Sequence, residues 1–377
     1  MTIKSLELLH FRNYDKQAIQ FSDGINILYG QNAQGKTNVL EALYIAATGK
    51  SHRTNNYQDL IKHDETGFEL ILNAVISDRE TSIVIKYSKE KGRYAEINGI
   101  KRNKLSDILG TLNMILFSPE TLEVVKGSPQ MRRKFMDILL CQIDRKYLHY
   151  LQQYNILIKN KSIALKKGRA EKKYEDVIPI WNDYIANYGG KIAYIRMKTI
   201  EKLNYYMKQG IQKITGGKED SELIYKTFCE FNGNTTEENY VVALKEKLKK
   251  GTEKEIQIAQ CTIGIHRDDF EILLNQNNSR QYCSQGQQRT LALSLILSEL
   301  LFIEEIKGEK PVLLLDDVMS ELDAKRQEFL VSGLYDVQTI ITTTDDVLFD
   351  SIREKHVQRY LIENGRVIPK NLTSQIN

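Results

Sequence analysis

The stretch "GQNAQGKT", Gly30 to Thr37, constrains this chain more than any other part of its sequence. It satisfies G-x-x-x-x-G-K-[ST] in full and follows the apolar run "INILY". A helically spaced segment comes after it, with Val39, Leu40, Leu43 and Ile45 to Ala47 as the apolar positions. A strand, a glycine-bearing turn and a helix in that order aim backbone N–H groups and a helix N-terminus at one point, which makes a cradle for phosphate. Gly30, Gln31, Asn32, Ala33, Gln34 and Gly35 form the loop. Lys36 is placed to neutralise the outer phosphates of a nucleoside triphosphate, and the Thr37 hydroxyl to ligate Mg2+. The motif therefore predicts an α/β fold with ATP and Mg2+ as cofactors.

A Mg2+ site at such a loop needs a further carboxylate, usually at the end of a buried strand. "VLLLDD" supplies two. Asp316 is the expected partner of the metal, and Asp317 the residue facing the γ-phosphate side, where a base could orient the attacking water. Loop and carboxylates lie near opposite ends of the chain, so only the fold can join them.

Other strand-like runs are "IKSLELLHF", "KQAIQF", "FELILNAVIS", "TSIVIKYS", "LNMILFSP", "TIGIHRDDFEILL" and "QTIITTTDD", the last expected beside "PVLLLDD"; "AEINGIKR" reads as a turn around Asn98 and Gly99. From Pro129 the spacing becomes helical. "MRRKFMDILLCQIDRKYLHYLQQYNILIKNKSIALKK" and "YEDVIPIWNDYIANYGGKIAYIRMKTIEKLNYYMKQGIQKI" read as long antiparallel helices. The expected organisation is a discontinuous ATP-binding head, residues 1–125 and 220–377, with a helical lobe, residues 126–219, inserted between its halves.

Charge follows the same division. Lys126 to Lys218 contains 20 Lys and Arg against 7 Asp and Glu, a net of +13, whereas the whole chain carries +4, so the remainder sums to −9. That asymmetry points to a polyanion partner such as DNA. Lys166, Lys167, Arg169, Lys172 and Lys173 are the densest run, expected on a helix-connecting loop and candidates for DNA contact. For most other cations a solvated helix face is the plainer reading, and for most of the block's nine tyrosines a place in the core. Cys141, Cys229, Cys261 and Cys283 are too scattered for a zinc site or a disulfide framework. With no secretion signal and no apolar run of the ~20 residues a membrane span needs, a cytoplasmic location is expected.

A second anion site is suggested by "YCSQGQQRTLALSL". Ser284, Gln285 and Gly286 stand at the tip of a helix whose Leu291, Leu293, Leu295, Ile296, Leu297, Leu300 and Leu301 make it apolar nearly all round. An ordinary N-cap by Ser284 would explain one of those residues but not the cluster.

A loop of the form GxNxxGKT, then "SQGQQR", "LLLDD" and "SELD" in that order, resembles the ABC-type ATPases of the chromosome-maintenance (SMC-like) group. With "FRNY", "GKSHR", "FSPE", "GSPQMRRKFMD" and "IHRDD" the chain is similar to the RecF family of bacterial recombination-repair proteins, from the first strand to about Asp346. The resemblance implies an ABC-type ATPase head with a helical lobe and without a long coiled coil. It also implies an ATP-dependent homodimer in the cytoplasm, associated with the nucleoid. Binding to double-stranded DNA and gap junctions, slow DNA-dependent ATP hydrolysis, and RecO and RecR as partners in recombinase loading belong to the same expectation.

By the same resemblance Ser284, Gly286 and Gln287 approach the γ-phosphate held by the other subunit, and Glu321 and Asp323 line the dimer face. Arg12 and Asn13 sit close to the nucleotide, with a plain salt bridge as the competing role for Arg12. Four departures stand out. Asp317 occupies a position where transport-type relatives carry Glu, no switch His follows "TIITTT" (leaving Asp345 or a Thr), Glu120 stands in for a missing glutamine, and Ile265 replaces a Pro.

Three other readings compete. A transporter's ATPase subunit would need the switch His and a membrane partner. A phosphotransferase using the loop alone leaves "SQGQQR" and "SELD" without a role. A nuclease-fused ATPase would need an acidic metal-binding domain after the head.

Overall fold

The computed structural model describes residues 1–171, 177–230, 235–319, 322–334, 336–344 and 357–370. The chain forms two compact units, Met1–Leu122 with Glu299–Asn377, and Glu123–Ser298.

The first unit opens with alternating strands. In β1 (Thr2–Phe11) the side chains of Ile3, Leu6, Leu8 and Phe11 are buried while Lys4 and Glu7 are exposed. It pairs with β2 (Tyr14–Gln20) on one side. After β3 (Ile25–Tyr29) and helix α1 (Lys36–Thr48) come β4 (Gly67–Ile76), β5 (Arg79–Ser88), β6 (Gly92–Ile97), β7 (Ile100–Arg102) and β8 (Met114–Phe117). An antiparallel sheet runs β2-β1-β4-β5-β6-β7. The predicted Asn98–Gly99 turn links β6 to β7.

The middle of the chain supplies α2 (Leu122–Lys126), α3 (Pro129–Ile143), α4 (Arg145–Glu171), α5 (Val177–Thr215), β9 (Ser221–Lys226), α6 (Glu237–Ile258), β10 (Asp269–Leu274), β11 (Asn277–Asn278), α7 (Ser279–Tyr282) and α8 (Gln285–Lys307). Then follow β12 (Val312–Asp316), α9 (Ala324–Gly333), β13 (Thr339–Thr343), β14 (Val357–Glu363) and β15 (Arg366–Lys370). The second sheet of the first unit runs β15-β14-β3-β13-β12-β8, parallel throughout except at its β15 edge. Every residue of β12 is buried, as a central strand of a covered parallel sheet requires. Helix α1 shares one core with both sheets: Val39, Leu40 and Leu43 cluster with Leu70, Leu72 and Ile83 of the antiparallel sheet and with Leu28, Leu314 and Ile340 of the parallel one. That packing fixes the N-terminus of α1 at the C-terminal ends of β3 and β12.

The second unit is built on α4, α5 and α6, with β9, β10 and β11 as a small antiparallel sheet. Tyr147 and Tyr154 are fully buried, and Tyr184 and Tyr205 are exposed. Three expectations need correction, and one helix is unexpected. The helical unit does not stop at residue 219: residues 220–298 belong to it, because β9 packs on α5 and α6 packs along α5. The first long helix is two, broken at Asp144, whose extended backbone (φ −132°) ends α3. In "TIGIHRDDFEILL", Ile265–Arg267 form a 3-10 turn, so the strand begins only at Asp269. Helix α6 is an element that strand-like and turn-like signals do not announce. Thr236 caps it through the Asn239 N–H, and Tyr240, Leu244 and Leu248 are its buried stripe.

Candidate nucleotide site

The loop between β3 and α1 bends through left-handed backbone at Ala33 (φ 66°) and Gly35 (φ 117°), the kind of turn that lets successive N–H groups form an anion-binding concavity. Lys36 is 7% exposed, and its ammonium donates to the carbonyls of Gly30 (2.5 Å) and Gln31 (2.8 Å). Burial lowers its pKa, opposed by the nearby carboxylates of Asp317 and Asp316. These are weak stand-ins for phosphate oxygens at the place where a triphosphate would take the ammonium.

The carboxylates arrive from the other end of the chain. The Thr37 hydroxyl donates to Asp316 Oδ1 at 2.9 Å across 279 positions of sequence, and the Thr342 hydroxyl donates to the same oxygen at 2.7 Å. Thr342 also accepts the Asp317 N–H at 2.9 Å. One β13 threonine thus touches the Asp316 carboxylate and the Asp317 main chain; of the two candidates for the missing switch His, Asp345 lies outside the described residues. Asp316 is buried at the end of β12. Asp317 is exposed and sits at φ 53°, a left-handed conformation uncommon for a side chain other than glycine and one that re-aims it off the strand. A hydroxyl and a carboxylate sharing one proton are a hard-oxygen pair of the kind Mg2+ selects.

Behind the loop, Glu41 of α1 is fully buried and gathers residues the sequence names separately. Arg12 donates to it twice (Nε 2.9 Å, Nη2 2.8 Å), Arg53 once (3.2 Å) and the Ser51 hydroxyl once (2.5 Å). Burial pushes the Glu41 pKa up, but these donors win and hold it below the ordinary carboxylate value. Arg12 is therefore held in a bidentate ion pair, with its remaining Nη1 on Asp59 O at 2.8 Å. Asn13 does lie against the loop: its amide donates to Gln34 O at 2.8 Å, and its carbonyl accepts from Asn38 at 2.9 Å. His52 is mostly buried against Tyr44, its ring edge-on at 5.5 Å. Burial lowers its pKa, while Glu41, Glu120 and Asp316 pull the other way, so Glu120, exposed in the turn after β8, shares this neighbourhood.

Residues 2–367 match the family model of the RecF/RecN/SMC N-terminal domain. A DNA replication and repair protein RecF of Clostridium botulinum (strain Okra / Type B1) is 42% identical over 97% of this chain and 99% of its own length. Its counterpart in Clostridium perfringens (strain SM101 / Type A) is 38% identical over the same shares. The chain belongs to the RecF family. Among solved structures, the recombination mediator protein RecF-ATP in the RecFOR pathway superposes with a TM-score of 0.91 at 36% identity, covering 98% of each chain. An Smc head bound to the C-winged helix domain of ScpA, with a TM-score of 0.58 at 18% identity over 99% of this chain and 98% of its own, shares the fold. The architecture is thus that of the ABC-type head, with the helical unit between its halves, and a transporter subunit loses its basis as a reading.

The remaining motifs of RecF type fall in different places. In "SQGQQR" the Ser284 N–H donates to Gln287 Oε1 (2.9 Å) and the Gln287 N–H to Ser284 Oγ (3.3 Å), a reciprocal cap at the start of α8. Gln287 also donates to Glu219 at 2.7 Å. Ser284 is exposed and Gly286 half-buried, so the tip is reachable from solvent. Leu291, Leu293, Leu295, Ile296 and Leu300 are buried as expected, but Leu301 is exposed. Asp323 caps α9 through the Arg326 N–H at 3.0 Å, and Glu321 lies outside the described residues.

Lys166, Lys167 and Arg169 lie within α4 rather than on a loop; Lys166 and Lys167 are exposed, and Lys172 and Lys173 are outside the described residues. Among the described residues no helix is long and apolar enough to cross a membrane.

"RRKFMD" and "IHRDD" meet inside the helical unit. Arg196 of α5, 2% exposed, donates to Tyr147 (3.0 Å), Ile265 O (2.9 Å), Asp137 (2.8 Å) and Asp268 (3.3 Å). Asp268 further accepts from Tyr225 and from Thr227 (2.8 Å), and Arg132 forms a fork on Asp269 (2.6 and 2.9 Å). Burial raises the Asp268 pKa, and Arg196 and the hydroxyls work against that rise. These family motifs are structural, knotting α3, α5, β9 and β10 together. Their paired-charge composition, Arg-Arg…Asp and Arg-Asp-Asp, was the available signal.

Proposed function

We propose that this protein is an ATP-operated DNA-binding switch of recombinational repair. ATP sits on Gly30 to Thr37, with Lys36 leaving its two loop carbonyls for the β- and γ-phosphates. Thr37 and Asp316 would hold Mg2+, which supplies charge neutralisation along the triphosphate. Asp317, re-aimed by its left-handed backbone and steadied by Thr342, orients the attacking water. Its short side chain reaches less far than a glutamate, which favours slow turnover.

The γ-phosphate is completed by a second copy, whose Ser284, Gly286 and Gln287 offer hydroxyl and helix N-terminal N–H groups, with Asp323 beside them. Nucleotide thus stabilises the dimer over the monomer. The dimer holds duplex DNA or a gap junction through the basic helical unit, with Lys166, Lys167 and Arg169 among the contacts, and hydrolysis releases it. Membership of the RecF family supports RecO and RecR as its partners and the cytoplasm as its place of action.

The observation carrying this reading is the Thr37–Asp316 contact, because it assembles a phosphate loop and an acid-tipped strand into one site. Light scattering on the purified chain tests it. The protein alone should be monomeric and should become dimeric with ATP and Mg2+. Ser284→Arg should stay monomeric while still binding nucleotide. Normal dimerisation by Ser284→Arg contradicts the shared site.

A further inference from the structure

The turn between β14 and β15 is tied to the phosphate loop by main-chain groups. Asn364 and Gly365 have φ of 49° and 70°, the two successive left-handed residues of a tight hairpin turn, which asparagine followed by glycine adopts at least cost. From this turn the Asn364 N–H donates to Gln34 Oε1 at 2.6 Å, and the Gly365 N–H donates to Gln34 O at 3.3 Å. The Asn13 side chain reaches the same Gln34 O at 2.8 Å. Contact is close enough to exclude side chains. A Cβ on Gly30 would stand 2.4 Å from Ile362 O of β14, and one on Gly365 would stand 2.6 Å from Asn13 O. Gln34 immediately precedes Gly35 and Lys36, so whatever holds it sets the path of the loop on which the phosphates would rest.

We propose that the Asn364–Gly365 turn is a positioning element of the nucleotide site: with Asn13 it grips Gln34 and keeps the phosphate loop in its binding shape before ATP arrives. The proposal rests on the ATP-binding reading above. None of the three gripping residues needs to touch phosphate; they act through Gln34, so their effect falls on affinity rather than on the chemical step.

The test uses the full chain with ATP and Mg2+, reading the dissociation constant by calorimetry and KM and kcat by phosphate release. Asn364→Val, which resists positive φ, should raise Kd and KM about tenfold through the loss of the two turn hydrogen bonds, with kcat at saturating ATP retained. Asn364→Gly, which keeps the turn, should bind like the parent. Gln34→Ala removes the Oε1 acceptor of the Asn364 N–H while keeping the main-chain carbonyl that receives Gly365 and Asn13, so it should weaken binding in the same direction by a smaller factor, about threefold. The Gln34→Ala/Asn364→Val double variant should be no weaker than the worse single variant, since both remove one grip.

Parent-like binding by Asn364→Val, or losses that multiply in the double variant, would overturn the proposal while leaving the ATP reading intact. If Asn364→Val does not fold, Gln34→Ala decides alone, and parent-like affinity sinks the idea. Failure of the parent chain itself to bind ATP is a separate result, and it removes the ATP reading and this proposal together.

Discussion

Lys36 and Arg196 are both buried cations, and their surroundings differ in kind. Arg196 ends on two carboxylates, a tyrosine and a main-chain carbonyl inside the helical unit, so each of its three nitrogens donates to a group fixed in the fold. Lys161 repeats the pattern nearby: fully buried, it donates to Glu255 (2.5 Å) and Asn182 (2.6 Å), while the other Glu255 oxygen accepts the N–H groups of Thr262 (2.5 Å) and Ile263 (3.0 Å). Among the described residues Lys36 donates to two carbonyls of its own loop, with the acids Asp316 and Asp317 near. A closed charge network belongs to folding. A buried charge resting on replaceable neutral groups belongs to a site that is completed by a ligand. Burial alone would have ranked the two together.

The sharpest way to break this distinction is to delete each cation. Arg196→Met strands Asp268 and Asp137 inside the helical unit and should cost about 3–5 kcal/mol in urea unfolding. Lys36→Met should change stability by less than about 1 kcal/mol, or raise it, because among the described residues the Lys36 ammonium donates to loop carbonyls and to no carboxylate, while ATP affinity collapses. Equal destabilisation by the two substitutions would erase the difference.

A smaller effect probes a buried acid in the nucleotide unit. Glu299 of α8 is 5% exposed, and burial alone pushes its pKa from 4.5 up to about 8. Between those values the folded chain keeps a proton that the unfolded chain has released, so stability falls as pH rises through the window and is fully present below it. Glu299→Gln should flatten that slope. The parent should lose about 3 kcal/mol more than the variant between about pH 5 and about pH 8, read as urea midpoints. Parallel pH profiles would mean that water or a partner relieves Glu299.

The strand–loop–helix around Gly30 to Thr37, the buried "VLLLD" strand and its "TIITT" neighbour were legible because short-range pattern fixes them: apolar runs, glycine at the turn and alternating burial. The long helices were legible for the same reason, apart from the break at Asp144, which a single extended residue makes without proline or glycine. What escaped depends on distant pairing. Glu41 reads as one polar position on an apolar helix, and only the fold brings Arg12, Ser51 and Arg53 to it. Thr342 is one of three consecutive threonines, and strand register alone decides which of them faces Asp316. The charges of "IHRDD" look like a site in sequence and become a knot once Arg196 arrives from α5.

The most direct test of the account mixes two inactive chains. Lys36→Ala lacks the phosphate lysine and Ser284→Arg lacks the tip that would complete a partner's nucleotide, so each alone should hydrolyse essentially no ATP. In a mixed dimer, one site joins the intact Lys36 of one copy to the intact Ser284 of the other. Random pairing would set a ceiling of about a quarter of the parent's turnover, and because Ser284→Arg weakens pairing, an equimolar mixture should recover turnover below that ceiling but clearly above the sum of its two components. A mixture as inactive as its components would contradict the account, because it would place lysine and serine at the same nucleotide within a single chain.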